Sequence, residues 1–288
     1  MPKGLPSTLS RDVNPLKKAA VFGIEPFLLV RERPQLKLKR MRHLLIINPN
    51  TSSAVSALLQ THAQRAAGPD VRVRTVTARF GAPYIACEAS YAVAGHAVLD
   101  SWAAALANDD QPAPDAVLIG CFGDPGLLAL RDTSRVPVTG LAEAAFVEAA
   151  AHGRFAIVTG GVRWQPMLAR LAQMLGYGDQ LAGIHTVTPT GAQLAADPVA
   201  ARALLAAACQ AAVQDFRADA IILGGAGLAG LAQLIQADVS VPVIDSVLAG
   251  TRQALLAAAA GTGKGRGHFD VRWQQVSAEM TGLGLPAA

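Results

Sequence analysis

With 288 residues, 51% apolar and 16% charged, the chain can fill one large core or two smaller ones, and no apolar run reaches the roughly 18–20 residues of a membrane span. The formal charge of +4 is uneven: residues 1–40 hold nine basic and three acidic groups, whereas residues 41–288 hold 16 and 18. The body therefore offers no basic footprint for nucleic acid, and its three cysteines (Cys87, Cys121 and Cys209) make no disulfide framework, which points to a reducing, cytoplasmic compartment.

Residues 1–40, basic and broken by Pro2, Pro6, Pro15, Pro26 and Pro34, read as a disordered or artefactual leader before Met41. From there strand-like and helix-like runs alternate. Leu44–Asn48 is a short apolar strand followed by the turn Pro49-Asn50-Thr51, and a helix runs from about Ser52 to Ala67. Val71–Thr77 reads as a strand and Ala89–Asn108 as a long Ala-rich helix. Strands at Ala116–Gly120 and Val136–Thr139 precede a helix over Leu141–Ala151. The second half has a strand at Phe155–Thr159, a helix at Gln165–Leu175, a strand near Ile184–Val187 and a helix at Val199–Phe216. Strands at Ala220–Leu223 and Val241–Ile244 follow, then a helix from Ser246. Alternating βα units with continuously apolar strands predict parallel sheets covered on both faces.

The pattern repeats. "DAVLIGCFG" from Asp115 matches "DAIILGGAG" from Asp219, and "VPVTG" from Val136 matches "VPVID" from Val241. The expected fold is α/β: two parallel-sheet lobes related by a pseudo-twofold axis, with the site in the cleft between them. The boundaries are 41–140 plus 246–288 for lobe 1 and 141–245 for lobe 2. In such sheets ligands bind at the carboxyl ends of the strands. The repeat pairs Asn48 with Thr159, and Cys121 with Gly225.

Those strand ends carry the candidate chemistry. Cys121 stands in "GCFGDPGL", just past a strand, where Asp124-Pro125 reads as a helix start. A thiol near a helix N-terminus is expected to have a lowered pKa and to act as nucleophile or base; a buried structural cysteine is the alternative. Cys209 lies inside an Ala-rich helix and reads as core, and Cys87 lacks the strand-end context. "NPNTS", with Asn48, Asn50, Thr51 and Ser52, suits either an oxygen-binding turn or plain capping. Thr159, Gly160 and Gly161 take the matching place in lobe 2, near Arg163.

Two glycine motifs look like nucleotide loops. "GAGLAG" from Gly225 fits G-x-G-x-x-G, but it falls on the last full βα unit, and its repeat partner "CFGDPG" is no fingerprint. "GTGKG" from Gly261 lacks a preceding strand and a Ser/Thr after Lys264. No metal-ligand spacing occurs, and His96, His152 and His185 read as surface or packing residues.

Taken together, "INPNTS", "CFGDPGL", "VPVTGLAEAA" and "ILGGAGLAGL…VPVIDSV" resemble the aspartate/glutamate/hydantoin racemase superfamily, most of all its hydantoin and allantoin racemase branch, over roughly Met41 to Leu256. The resemblance implies two pseudo-symmetric lobes, one active site between them and no cofactor. It also implies two cysteines facing each other across the substrate α-carbon, one thiolate removing the proton and the other thiol returning one. Cys121 matches the first cysteine, while Gly225 stands where the second should be. Asn48, Asn50, Thr51, Phe122, Thr159, Gly160, Gly225 and Ala226 become the implied substrate contacts.

Three functions are compatible with that departure. The first is a cofactor-independent racemase or epimerase of amino acids or derivatives such as 5-substituted hydantoins. The second is a single-cysteine decarboxylase of the arylmalonate type, in which one thiol protonates an enolate. The third is a binding protein that keeps the cleft without turnover. The expected partner is a small-molecule substrate, with neither nucleic acid nor membrane; a homo-oligomer is compatible with the reading.

Overall fold

In the computed structural model, residues 40–189, 191–261 and 263–285 are described; the leader reading for residues 1–40 lies almost wholly outside them. Two four-stranded parallel sheets divide the body. In the first, β1 (Arg42–Asn48), β2 (Val71–Thr77), β3 (Ala116–Ile119) and β4 (Val138–Gly140) lie in the order β2-β1-β3-β4. In the second, β5 (Phe155–Gly160), β6 (Leu181–Val187), β7 (Ala220–Gly224) and β8 (Val243–Asp245) repeat that order as β6-β5-β7-β8. The registers match as well, Ile47 facing Ile119 in one sheet and their repeat partners, Val158 and Leu223, facing each other in the other.

The inner strands read as unbroken apolar runs because both faces are covered. Leu44–Ile47, Ala116–Ile119, Phe155–Val158 and Ala220–Leu223 are all buried. Helices α1 (Ser53–Ala67), α2 (Glu88–Leu106) and α3 (Leu127–Thr133) belong to the first half, and α4 (Leu141–Ala150) follows β4. The second half carries α5 (Trp164–Met174), α6 (Gly191–Ala196), α7 (Pro198–Phe216), α8 (Leu231–Ile235) and α9 (Ser246–Ala260).

Two helices cross over and tie the halves together. Helix α4 leaves the first sheet and packs on β7 and β8, while α9 leaves the second and packs on α1, β3 and β4. The two meet where Gly250 of α9 approaches Leu141 and Leu118; a Cβ there would sit 2.8 Å and 2.9 Å from their methyl carbons, so any side chain would push these buried leucines aside. After Gly261 the chain turns back to α10 (Ala278–Gly282), which packs on α2.

Three expectations from the sequence shift. The strands β4 and β8 begin at residues 138 and 243, two residues later than their apolar runs. Pro137 and Pro242 have no N–H for the ladder, although their carbonyls still accept from Val117 and Ile221. Asp124-Pro125 does not start α3; the helix begins after Gly126, which takes a left-handed conformation (φ 76°). Asp124 itself sits at φ 51° and turns its carboxylate elsewhere.

Candidate active site

The carboxyl ends of both sheets open onto one small cavity of about 60 Å³. The first half contributes Asn50 from the turn after β1, Tyr84 and Ile85 from the loop after β2, and Cys121 and Phe122 after β3. The second half contributes Thr159 and Gly160 at the end of β5, Trp164 at the start of α5, and the loop Gly224–Leu228 after β7. Of the residues singled out in the sequence, Asn50, Cys121, Phe122, Thr159, Gly160, Gly225 and Ala226 meet in this cavity.

Asn48 and Thr51 do not line it. Asn48 is fully buried and spends its carboxamide on the turn: Nδ2 donates to Asn50 Oδ1 (2.9 Å), Ser52 O (3.0 Å) and Ser56 Oγ (3.0 Å), and Oδ1 accepts from the Asn50 N–H. The Thr51 N–H donates to Ala82 O. Asn48 therefore positions Asn50 instead of touching a ligand. Asn50 Oδ1 accepts from both Asn48 and Ser52, so what it offers the cavity is its pair of Nδ2 donors.

The two loops after β3 and β7 are built alike. The N–H groups of Phe122 and Ala226, equivalent in the repeat, donate no hydrogen bond within the described residues. They are the kind of fixed backbone donors that stabilise a developing enolate oxygen. Thr159 Oγ1 donates to Gly224 O at 2.7 Å and the Gly225 N–H to Ser246 Oγ at 3.2 Å, which fixes the second loop. Phe122 lies against Gly224, where any side chain would displace its ring.

Cys121 is 8% exposed, and its environment reverses the expected shift. Burial pushes the thiol well above its ordinary value, and the neighbouring Asp124 carboxylate adds to the rise. The Asp-Pro signal pointed to a helix dipole beneath Cys121, but the Asp124 oxygens reach across to α4 and accept from Ala142 N (3.0 Å) and Glu143 N (2.8 Å). Burial, opposed by these two bonds, lifts the Asp124 pKa to about 7. The thiol with the helix-start setting is Cys87, the N-cap of α2, whose pKa is lowered foremost by its contact with Ser90 Oγ at 3.5 Å. Cys209 is buried in α7 as expected.

Gly225 leaves the position opposite Cys121 without a side chain. A Cβ there would lie 3.5 Å from Leu228 Cγ, ordinary contact, but φ is +142°, a conformation that L-residues rarely adopt. Space is therefore available for a thiol while the backbone disfavours it.

The residues missed from the sequence are Val55, Tyr84, Ile85, Trp164 and Leu228. Leu228 lies inside the GAGLAG motif without having been singled out, and the others lie in a helix turn or loop brought to the cavity by the fold, without motif or periodicity to mark them. Their sum matters: apart from Cys121 and Tyr84, none of the lining side chains titrates, and none is a Lys, Arg, His, Asp or Glu. Among the described residues, no group of three or more His, Cys, Asp or Glu could hold a metal ion, and no helix is long and apolar enough to cross a membrane.

Comparison with known proteins agrees with this geometry. The family described as Asp/Glu/Hydantoin racemase matches over residues 44–254. The hydantoin racemase of Pseudomonas sp. (strain NS671) is 32% identical over 211 residues, 73% of this chain and 83% of that protein. Among solved structures, the allantoin racemase from Klebsiella pneumoniae superposes with a TM-score of 0.71 at 32% identity, covering 77% of this chain and 89% of that one. An arylmalonate decarboxylase shares the fold alone, at 21% identity and a TM-score of 0.53 over 78% of this chain and 97% of that one.

Proposed function

This chain belongs to the Asp/Glu/hydantoin racemase family, and from that premise we propose that it racemises neutral 5-substituted hydantoins by proton transfer at the ring α-carbon through Cys121. The observation that carries the substrate class is the lack of charge in the cavity wall. A free amino acid brings a carboxylate and an ammonium, and an arylmalonate brings two carboxylates; without a cation or anion to meet them, their desolvation goes uncompensated. A hydantoin brings only carbonyls and N–H groups, and its carbonyls suit the donors of the Asn50 Nδ2 and of the Phe122 and Ala226 N–H groups. Val55, Ile85, Trp164 and Leu228 supply apolar wall for the 5-substituent.

In this reading the Cys121 thiolate removes the α-proton, and the electron pair moves onto the adjacent carbonyl as an enolate held by the backbone donors. No cofactor is needed, because that carbonyl already acidifies the carbon. The division into 41–140 with 246–288 and 141–245 is part of the same proposal, as are a cytoplasmic location, suited to three free thiols, and assembly as a homo-oligomer.

The test is a substrate panel followed by optical rotation: L-5-benzylhydantoin, L-phenylalanine, L-aspartate and phenylmalonate, with the enzyme-free rate subtracted. The expected outcome is loss of rotation with the hydantoin alone and no CO₂ from phenylmalonate. Release of CO₂, or racemisation of a free amino acid in preference to the hydantoin, overturns the substrate assignment.

A further inference from the structure

Racemisation needs an acid or base on each face of the planar enolate, and the position related to Cys121 by the repeat is a glycine. We propose that the Tyr84 hydroxyl takes the place of the missing thiol and protonates or deprotonates the face opposite Cys121. The inference rests on the reading of Cys121 given above. It starts from a count: Cys121 and Tyr84 are the two titratable side chains lining the cavity. Cys87, three residues further along the same loop, is outside the lining.

Placement supports the count. Tyr84 comes from the first half of the chain, yet its hydroxyl crosses to the second and donates to Gly160 O at 3.2 Å. Gly160 ends β5, and β5 pairs with β7 in a register that sets Thr159 against Gly224. Position 225 is thus about one strand spacing, roughly 4.8 Å, from the strand end on which the phenol rests. Gly161, at φ +91°, leaves room for this approach: a Cβ there would stand 3.1 Å from Tyr84 Oη. The phenol occupies the wall that holds Gly225, whereas Cys121 sits on the wall formed by β3.

The proton balance closes without a co-reactant. In one direction the Cys121 thiolate takes the α-proton, forming S–H, and the C–H pair becomes the enolate. The Tyr84 O–H bond then breaks, its proton bonds to the opposite face, and a phenolate remains. In the other direction that phenolate takes the α-proton and the Cys121 thiol returns one. Product release leaves thiol and phenolate, and a proton passing between them through solvent resets the enzyme.

Tyr84→Phe separates exchange from inversion. Both enantiomers of 5-benzylhydantoin are incubated with the full chain in heavy water, with deuterium at C5 read by NMR and configuration by circular dichroism. For the enantiomer whose proton faces Cys121, the variant should keep deuterium incorporation within a few-fold of wild type. Inversion should fall by about 100-fold or more, the scale of a lost general acid. The retained exchange also shows that the variant is folded. Unchanged inversion overturns the proposal, and so does a parallel fall of exchange and inversion, which would mean that Tyr84 only braces Gly160. Wild type that exchanges without inverting also overturns it and leaves Cys121 in place. Persistence of exchange in Cys121→Ala for the enantiomer whose proton faces Cys121 instead refutes the reading of Cys121, so the two failures are distinguishable.

Discussion

The two halves of the molecule solve one structural problem in different ways. Each must satisfy the first N–H groups of the helix after its fourth strand. In the second half Asp245, the last residue of β8, caps its own helix: Oδ1 accepts from Val247 and Leu248, while Oδ2 accepts from Gly230. In the first half the equivalent position is Gly140, and the carboxylate arrives from the loop after β3, where Asp124 caps α4 from 18 residues upstream. Gly140 has to be glycine because a Cβ would collide with the Asp124 carboxylate. The loop bearing Cys121 thereby carries the capping carboxylate itself, while the Gly225 loop is held by Thr159 and Ser246 and, at Gly230, by the carboxylate of Asp245 from the next strand. Duplication preserved the fold and the need for a cap, but let the charge move to the reactive side.

The comparison breaks most visibly at Cys121. Cys121→Ala should lower turnover of 5-benzylhydantoin by at least about 100-fold, with ligand binding by thermal shift retained because Asn50 and the backbone donors stay. Next come the two caps. Asp245→Ala strands three N–H groups and Asp124→Ala two, at about 1–3 kcal/mol per buried orphan, so urea unfolding should rank Asp245→Ala as the more destabilised. Gly225→Cys should lower stability by about 1–3 kcal/mol through its φ of +142°, measured in the same unfolding series.

Acidity gives a further test, although burial raises both capping carboxylates, Asp124 and Asp245. The folded-state pKa of Asp124, about 7, lies above the ordinary carboxylate value of about 3.9, so the folded protein holds this proton more tightly than the unfolded chain. That contribution is complete below about pH 4 and is lost as pH rises through about 7. Between about pH 5 and about pH 8, Asp124→Asn should therefore lose less stability than wild type in urea titrations; an equal or larger loss would contradict the buried, proton-holding Asp124. The smallest effect concerns the thiols. Near neutral pH, iodoacetamide should label Cys87 on the order of tenfold faster than Cys121, by peptide mass spectrometry, because hydrogen bonding lowers one and burial raises the other.

The strands along the chain, the repeat and the two cavity loops were legible because they rest on local runs such as LLII and AIIL and on a motif occurring twice; the order of the strands within each sheet was not. Cys121, Phe122, Gly225 and Ala226 came with that motif. The raised pKa of Cys121 did not, because it comes first from burial and then from the Asp124 carboxylate, whose partners, Ala142 and Glu143, lie far along the chain. Asp124-Pro125 looks like a local cap, and nothing in its neighbours says that the carboxylate faces another helix. Asn48 and Asn50 are alike in the sequence; only the turn decides that one braces and the other lines the cavity. Tyr84 and Trp164 reach the site from a loop and a helix start, where no periodicity records what the side chain meets.

The most direct test of the account is hydrogen exchange at C5 of enantiopure 5-benzylhydantoin in heavy water, followed by NMR with wild type and Cys121→Ala side by side. The account predicts enzyme-dependent deuterium uptake with wild type and, with Cys121→Ala, uptake at the enzyme-free rate for the enantiomer whose proton faces Cys121. Uptake by Cys121→Ala at the wild-type rate would show that another group removes the proton and that the buried thiol is part of the core.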